Sequence, residues 1–372
     1  MRRLFNLTKH KDIFKQLEDL VPLSLAYDWD NVGLQVGNKH DKTRNVLVTL
    51  DVVERVVDEA IEKDCNLIIA HHPLLFAPLK ELDLSSPKGQ VIHKLIKHNI
   101  TVYASHTNLD IASGGVNDML ADQLQLKETK PLIKTYSEQL FKLIVFVPTK
   151  YSHQLLEALG DAGAGHIGLY SYCGFLSEGQ GTFKPLDGAD PHVGKINEQH
   201  YEEENKLEVI VSEHRISQVL EAMKTYHPYE EVAYDLIKLE NNGDNLGLGK
   251  IGKLKEPTTL HALCDKIKDR LQVSHVRITG ETEKEINKVA VLGGSGEKFT
   301  QAALHAGADV YITGDMTFHA AQDAEEAGLT VIDAGHIIEK IMINGITQYL
   351  SSQFEKINVI GSKINTDPFK YY

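Results

Sequence analysis

Cysteine is scarce in this chain. Only Cys65, Cys173 and Cys264 occur in 372 residues, and long stretches separate them. An odd, widely spaced set argues against a disulfide framework, and a thiolate zinc site would need closely spaced pairs. The scarcity favours a reducing, cytoplasmic setting. Histidine is the more informative residue type, since there are 18 and several lie beside carboxylates.

Long apolar runs and an excess of positive charge are also missing. No apolar stretch approaches the roughly 18 residues that a transmembrane helix needs, and Met1–His10 lacks the apolar core of an export signal. Lys and Arg total 39 against 52 Asp and Glu, a formal charge of −13. A field of this sign repels nucleic-acid phosphates and anionic lipids. Nucleic acid and membranes are therefore not expected as partners, whereas cations are compatible.

The residues that are present alternate between strand and helix patterns. Apolar residues make up 42% and charged residues 24%, as in a globular protein long enough for two or three domains. β-branched runs at 46–50, 67–70 and 100–104 alternate with helical periods, which predicts parallel βαβ units in an α/β fold. The pattern returns between residues 288 and 333, at an offset of about 243 residues. The two sets are either duplicated halves or ordinary βαβ units that look alike.

The middle of the chain has a different order. Residues 137–245 read as strand, helix, strand, strand, helix and strand, with an alternating segment at 166–173 taken as one of the strands. This order is that of a ferredoxin-like α+β domain. We therefore predict that the domain 137–245 is inserted into a discontinuous α/β outer domain formed by residues 1–130 and 250–372.

A histidine pair marks the first candidate site. His71 and His72 follow a buried strand and precede Pro73, at the edge where α/β sheets bind ligands. Adjacent residues of a regular strand point to opposite faces, but Pro73 ends the strand and constrains His72. Such a pair suits two ions close together, or one ion plus an ordered neighbour. A structural or surface role is the plain alternative.

Further histidines and carboxylates follow other strands. His106 and Asp110 come after the strand at 100–104, and His336 and Glu339 follow the strand at 329–332. A helical turn beginning near Gly335 would place His336 and Glu339 on one face. Histidine and carboxylate ligands without thiolate suit Zn, Mn, Fe or Co. Two ions bridged by a carboxylate would use the set economically.

Other residues near strand ends are candidates for supporting roles. Asp51 and Asp315 are placed to orient a ligating imidazole, and His106 or His319 could transfer a proton. Capping or turn roles are the alternative, favoured for Asp51 and His319.

A glycine-rich turn follows the strand at 288–292 and precedes a helix. The backbone N–H groups of Gly294, Ser295 and Gly296 could hold an anion there, or the turn is purely structural. The stretch Gly247–Gly252 matches a dinucleotide-binding pattern, but no helix opens directly after it. We interpret that stretch as the return of the chain into the outer domain.

Taken together, these motifs resemble the Nif-three-like family, whose members are often labelled GTP cyclohydrolase type-two homologues. The resemblance covers the whole chain. The long bacterial members carry an inserted domain similar to CutA and PII proteins, and His227–Glu231 resembles a motif of that insert. The motifs that carry the resemblance are His71–Leu74, His106–Asp110, Gly247–Gly252, Thr313–Asp315 and Gly335–Glu339.

The resemblance implies a fold, a metal site and an assembly. It implies two related βαβ halves in the outer domain and two divalent metal ions per chain. It also implies a ring-shaped homohexamer, a trimer of dimers, whose sites face an inner cavity. By position, the metal ligands would be His71, His72, Asp110, His336 and Glu339.

Two functions follow as hypotheses. The first is a metal-dependent hydrolase acting on a nucleotide or another phosphate-bearing small molecule, GTP cyclohydrolase-like by the family label. The second is a non-enzymatic metal-binding ring with a chaperone, sensing or regulatory role. The absence of a nucleophile motif other than water at a metal favours the second, and the clustered ligands favour the first.

Overall fold

The computed structural model describes residues 8–371, apart from the side chain of Asn242. The segment 1–7, part of the stretch expected to carry no export signal, lies outside the described residues. The chain divides into two compact units, Met1–Tyr136 with Leu246–Tyr372, and Ser137–Asn245. No helix among the described residues is both long and apolar enough to cross a membrane.

The first unit contains a five-stranded sheet in the order β1-β4-β3-β2-β13. Its strands are parallel except β1, which is antiparallel to β4. All residues of β3 are buried, as expected for a parallel strand covered on both faces. The strands are β1 Gly33–Val36, β2 Asn45–Thr49, β3 Cys65–Ala70, β4 Thr101–Ala104 and β13 Asn358–Gly361.

The second sheet of this unit has the order β5-β8-β10-β11-β12-β9. Its β10, β11 and β12 are parallel, and β9 runs antiparallel at the edge. The strands are β9 Arg277–Thr279, β10 Glu285–Ser295, β11 Val310–Gly314 and β12 Thr330–Asp333, beside β5 Lys127–Pro148 and β8 Tyr234–Thr259, whose residues divide between the units.

Helices connect and cover the strands of both sheets. In chain order, those of the first unit are α1 His10–Leu20, α2 Glu54–Glu62, α3 Pro87–Lys97, α4 Thr107–Ile111, α5 Val116–Gln123, α8 Leu260–Leu271, α9 Thr300–His305, α10 Phe318–Glu326 and α11 Ile341–Gln353. Alternate residues of β3 point to opposite faces: Leu67 and Ile69 enter one apolar core, and Ile68 enters another.

The two sheets of the first unit repeat one arrangement. The first half, residues 10–111, runs α1-β1-β2-α2-β3-α3-β4 before α4, and the second half, residues 260–353, runs α8-β9-β10-α9-β11-α10-β12 before α11. In each half three consecutive strands are adjacent and parallel, and the preceding short strand pairs antiparallel with the last. The mixed α/β fold predicted for the chain, with parallel βαβ units, is thereby confirmed.

The second unit has its own apolar core. Its strands are adjacent in the order β6-β7-β5-β8, and α6 Ser152–Asp161 and α7 Ile216–Tyr226 pack Leu155, Leu159 and Val219 onto them. The other strands are β6 Gly174–Phe183 and β7 His200–Ser212. The strand expected at 166–173 is wrong: these residues form turns and an isolated bridge between Ile167 and Tyr170.

Candidate metal centre

The histidine pair is held at the carboxyl end of β3. The amide of His71 donates to the Thr49 carbonyl at 3.2 Å and that of His72 to the Leu50 carbonyl at 2.9 Å, so the pair stays attached to the end of β2. Their ring centroids are 5.0 Å apart at 45°. Both rings therefore reach one cluster despite their adjacent positions in the sequence.

The second half contributes a tight turn. Gly335 has φ 81° and opens the 3₁₀ turn His336–Lys340, and a positive φ is a conformation that favours glycine. In a 3₁₀ turn, residues three apart lie above one another. His336 Nε2 is accordingly 3.1 Å from Glu339 Oε2, which is the juxtaposition that the spacing predicts.

Glu339 lies at the centre of the cluster. Its Oε2 is 3.0 Å from His72 Nε2 and 3.6 Å from His71 Nε2, and the residue is 3% exposed. Within residues 8–371, ligating atoms that lie within 4.8 Å of one another form three groups that could hold a cation. The groups are His72 with His336 and Glu339, His71 with Asp110 and Glu339, and His71 with His72 and His106.

Each imidazole of the cluster is held in place by a hydrogen-bond partner at its Nδ1 atom. His72 Nδ1 lies 2.6 Å from Asp51, His336 Nδ1 lies 2.6 Å from Asp315 and His106 Nδ1 lies 2.9 Å from Asp30, in each case from a carboxylate oxygen. His71 Nδ1 donates to the Ser105 carbonyl at 2.9 Å. Partners of this kind orient ligating imidazoles and leave Nε2 as the ligand atom. The outer partners anchoring each ring are Asp51, Asp315, Asp30 and Ser105.

Two buried atoms of the cluster have no hydrogen-bond partner among the described residues. They are His71 Nε2 and Asp110 Oδ1, 3.6 Å apart. Because His71 Nδ1 must donate to a carbonyl, a neutral ring directs the lone pair of Nε2 at a carboxylate oxygen. Unpaired buried polar atoms are costly, and a divalent cation between them would satisfy both. The donor set thus fits a metal.

The histidines and carboxylates of the cluster shift one another's pKa values because they are packed together and buried. Burial lowers the pKa of His72, but Asp51 and Glu339 outweigh it and raise that pKa to about 10. The hydrogen bond to Glu339 is the main reason that the pKa of His336 rises to about 9. Burial raises the pKa of Asp110 to about 6, and His71 opposes it. Burial also acts to raise the pKa of Glu339, yet the surrounding imidazoles hold it well below its usual range. Without a cation the cluster retains protons, which metal binding would displace.

Not every candidate residue joins the cluster. His319 is exposed on α10, where its Nδ1 contacts Gln322 Oε1 at 3.3 Å, and it lines neither of the two cavities beside the cluster. Asp315 and His106 do reach it, as the outer partner of His336 and as a fourth imidazole.

The glycine turn has a structural reason for its composition. A Cβ on Gly294, which has φ +66°, would stand 2.4 Å from Glu339 Oε1, and one on Gly296 would stand 2.3 Å from the Tyr311 hydroxyl. Gly294 and Ser295 also line a cavity beside the cluster. Close approach to Glu339 and Tyr311 accounts for Gly294 and Gly296, and anion binding by Gly294, Ser295 and Gly296 stays a prediction.

Some residues that shape the site were not among the candidates. Asp30 lies before β1, where no strand end marks it, and it binds both His106 and Thr107. Thr366, in the irregular C-terminal segment, donates to Asp51. The stretch Tyr27–Asn31 combines two aromatic residues with acidic neighbours, and that mixture is the signal that could have marked Asp30.

Comparison with known proteins agrees with the resemblance predicted from the motifs. The sequence profile described as Duf34/NIF3 (NGG1p interacting factor 3) matches residues 8–368. A Bacillus subtilis protein named "GTP cyclohydrolase 1 type 2 homolog" is 47% identical over 365 residues, 97% of this chain and 98% of that protein. A Halalkalibacterium halodurans protein of the same name is 46% identical, over 96% of this chain and 98% of its own.

A solved structure shares the fold across the chain. The crystal structure of a Bacillus cereus protein related to NIF3 superposes with a TM-score of 0.89 at 44% identity, over 98% of this chain and all (100%) of that one. With the matching profile and the curated relatives, this establishes that the chain belongs to the Duf34/NIF3 family.

Proposed function

We propose that the first unit binds two divalent metal ions and uses them to hydrolyse a phosphate-bearing small molecule or nucleotide. One observation carries the proposal: two ligand groups, His71 with Asp110 and His72 with His336, share the buried carboxylate of Glu339. A shared carboxylate is typical of two-metal hydrolytic sites. The name "GTP cyclohydrolase 1 type 2 homolog" carried by the relatives agrees with a nucleotide substrate.

The residues have distinct parts in this proposal. His71, His72, Asp110, His336 and Glu339 would hold the ions, which would be Zn, Mn, Fe or Co because the ligands are nitrogen and oxygen. Bound divalent ions supply Lewis-acid chemistry and activate water.

His106 would transfer the proton between the attacking water and the leaving group. Its Nδ1 is fixed by Asp30, and its ring lies 5.3 Å from that of His71 and 5.7 Å from that of His72, centroid to centroid. This position allows Nε2 to take a proton from an attacking water and return it to a leaving group. Asp51, Asp315 and Asp30 keep the rings oriented throughout.

The test is a hydrolysis screen over nucleotides and phosphate esters with protein loaded with Zn, Mn or Fe. We expect turnover on at least one compound, its loss in His72→Ala, and its retention in the control His319→Ala, which changes a histidine outside the cluster. Equal turnover in both variants would contradict the proposal. Silence of the loaded protein across the screen, with a ligand-dependent rise in melting temperature, would favour a non-enzymatic sensing, chaperone or regulatory role.

We also propose that residues 137–245 form a ferredoxin-like insertion of the CutA/PII kind. The element order β5-α6-β6-β7-α7-β8 and the sheet order β6-β7-β5-β8 support it, and so does the compactness of Ser137–Asn245. A crystal structure of the full chain tests it, and a different strand order in this unit would contradict it.

We further propose a cytoplasmic homohexamer, a trimer of dimers. The large exposed apolar side chains of Leu169, Tyr170 and Phe175 in the second unit support self-association. Analytical ultracentrifugation tests it, with a mass six times that of the chain as the expected result and a monomer as the contradicting one.

A further inference from the structure

A cavity of about 700 Å³ opens beside the metal centre. Its polar side is formed by cluster residues, including His106, Asp110 and Glu339, and its other side by the aromatic rings of Tyr27, Trp29, Phe76 and Phe299. The volume is within the usual range for small-molecule sites, which combine apolar walls with a few placed polar groups. The proposed metal chemistry does not use the aromatic side.

Two of these rings are large and open to solvent. Trp29 is 60% exposed and Phe76 53%, and their centroids are 6.0 Å apart. Each meets the His106 ring edge-on at 6.4 Å. We call Trp29 and Phe76 the aromatic wall. Its exposed ring surface is costly in water unless a ligand covers it.

The aromatic wall is held in place before any ligand arrives. Asn31 Nδ2 donates to the Leu75 carbonyl, which ties the loop of Trp29 to the loop of Phe76. Gln35 bridges the same loops, donating to the Asn31 carbonyl at 2.8 Å and accepting from the Leu75 amide at 3.1 Å. The adjacent Asp30 is fixed by His106 and Thr107. A site whose walls are already ordered loses less entropy when it binds.

The charge of the cavity selects one class of ligand. Among the described lining residues, Lys298 carries the one permanent positive charge, and it lies just beyond the glycine turn. Exposed aromatic faces favour stacking with planar rings, and an ammonium group favours phosphate or carboxylate. Both features border the cluster in which the reaction is proposed to occur.

We propose that this cavity is a ring-recognition subsite: the aromatic wall stacks a planar heteroaromatic ring while Lys298 pairs with an anionic group of the same molecule. The inference rests on the proposed function, because it places this ligand beside the metal centre as the substrate. It narrows the substrate class from phosphate-bearing small molecules in general to those that also carry a planar ring.

The chain contains a built-in reporter for the test. Trp29 is its single tryptophan, so intrinsic fluorescence, excited beyond the absorption of guanine, reports on the aromatic wall alone. Guanosine monophosphate, guanosine and ribose 5-phosphate are titrated separately into metal-free and zinc-loaded full-length protein. We expect saturable quenching, strongest with guanosine monophosphate and weak with ribose 5-phosphate.

Four variants sharpen the test. Phe76→Ala should weaken the binding of guanosine monophosphate roughly tenfold and leave the binding of ribose 5-phosphate unchanged. Lys298→Ala should weaken the binding of both phosphates and make it less sensitive to salt. The controls are Phe318→Ala, an exposed phenylalanine that lines neither cavity beside the cluster, and Lys15→Ala, an exposed lysine on α1. Equal affinities in Phe76→Ala and Phe318→Ala would overturn the subsite.

Metal content measured on the same samples separates the two proposals. Bound metal without any preference for the ring overturns the subsite and leaves the proposed function standing, whereas absence of metal overturns the proposed function whatever the fluorescence shows. A change of sedimenting mass in Phe76→Ala, with no quenching in the wild type, would mean that a second copy of the chain covers the aromatic wall, and this also overturns the subsite.

Discussion

The two halves of the first unit share one topology but contribute different chemistry. The first half supplies three imidazoles, of His71, His72 and His106, together with Asp110. The second half supplies one imidazole, His336, together with the carboxylate of Glu339 and the glycine turn that makes room for it. Two of the ligand groups share Glu339, and neither of these two groups lies entirely within one half. A repeated scaffold therefore places donors at two sheet edges, and each of the two groups that share Glu339 needs both halves.

The largest effect is expected when the shared residue is removed. Glu339→Ala takes a ligand from both groups and should reduce metal from about two ions per chain to nearly none, measured by mass spectrometry on untagged protein. The control is Glu326→Ala, an exposed carboxylate on α10. Full retention of metal in Glu339→Ala would show that the halves bind ions independently.

A second prediction concerns the space that Gly294, in the second half, leaves for the carboxylate of Glu339. Gly294→Ala adds a Cβ 2.4 Å from Glu339 Oε1 at φ +66°, so it should lower both the free energy of unfolding and the metal content. Gly114→Ala has a similar φ of +72° with nothing within 4 Å of its Cβ, and it should cost only about 1–2 kcal/mol of backbone strain. Thermal unfolding and metal analysis of both variants separate crowding from strain. Equal metal content in the two would contradict the packing argument.

The smallest effect is expected from an attachment that the first half makes to the segment after β13. Glu59 on α2 accepts from Lys63, from the Ser362 hydroxyl and from the Lys363 amide, and so fixes the segment after β13. Burial acts to raise the pKa of Glu59, but these donors outweigh it and lower that pKa. Glu59→Gln should cost about 1–2 kcal/mol of unfolding free energy at neutral pH.

The pH dependence of that cost has a definite sign. A depressed carboxyl pKa stabilises the fold above the unfolded value of about 4.3, and this stabilisation is lost as pH falls through the lower folded value. The difference between wild type and Glu59→Gln should therefore shrink in acid. Urea unfolding at several pH values measures it, and a difference that grows in acid would contradict the assignment.

The sequence predicts local features well where one strand or turn determines them. The runs at 46–50 and 67–70 correspond to β2 and β3, and the juxtaposition of His336 and Glu339 follows from their spacing. Asp30 and Thr366 could not be found in this way, because their contacts with His106 and Asp51 join residues 76 and 315 positions apart. The segment 166–173 misled because its alternation belongs to exposed turns, where the side chain of Leu169 is fully exposed.

The most direct test of the shared site is the number of metal ions per chain in three untagged proteins: wild type, His71→Ala and His336→Ala. Each variant removes one ligand from a different group. We predict about two ions in the wild type and about one in each variant. This prediction would be contradicted if the wild type bound no metal after incubation with Zn, Mn or Fe. It would also be contradicted if the wild type bound one ion and either variant abolished that binding.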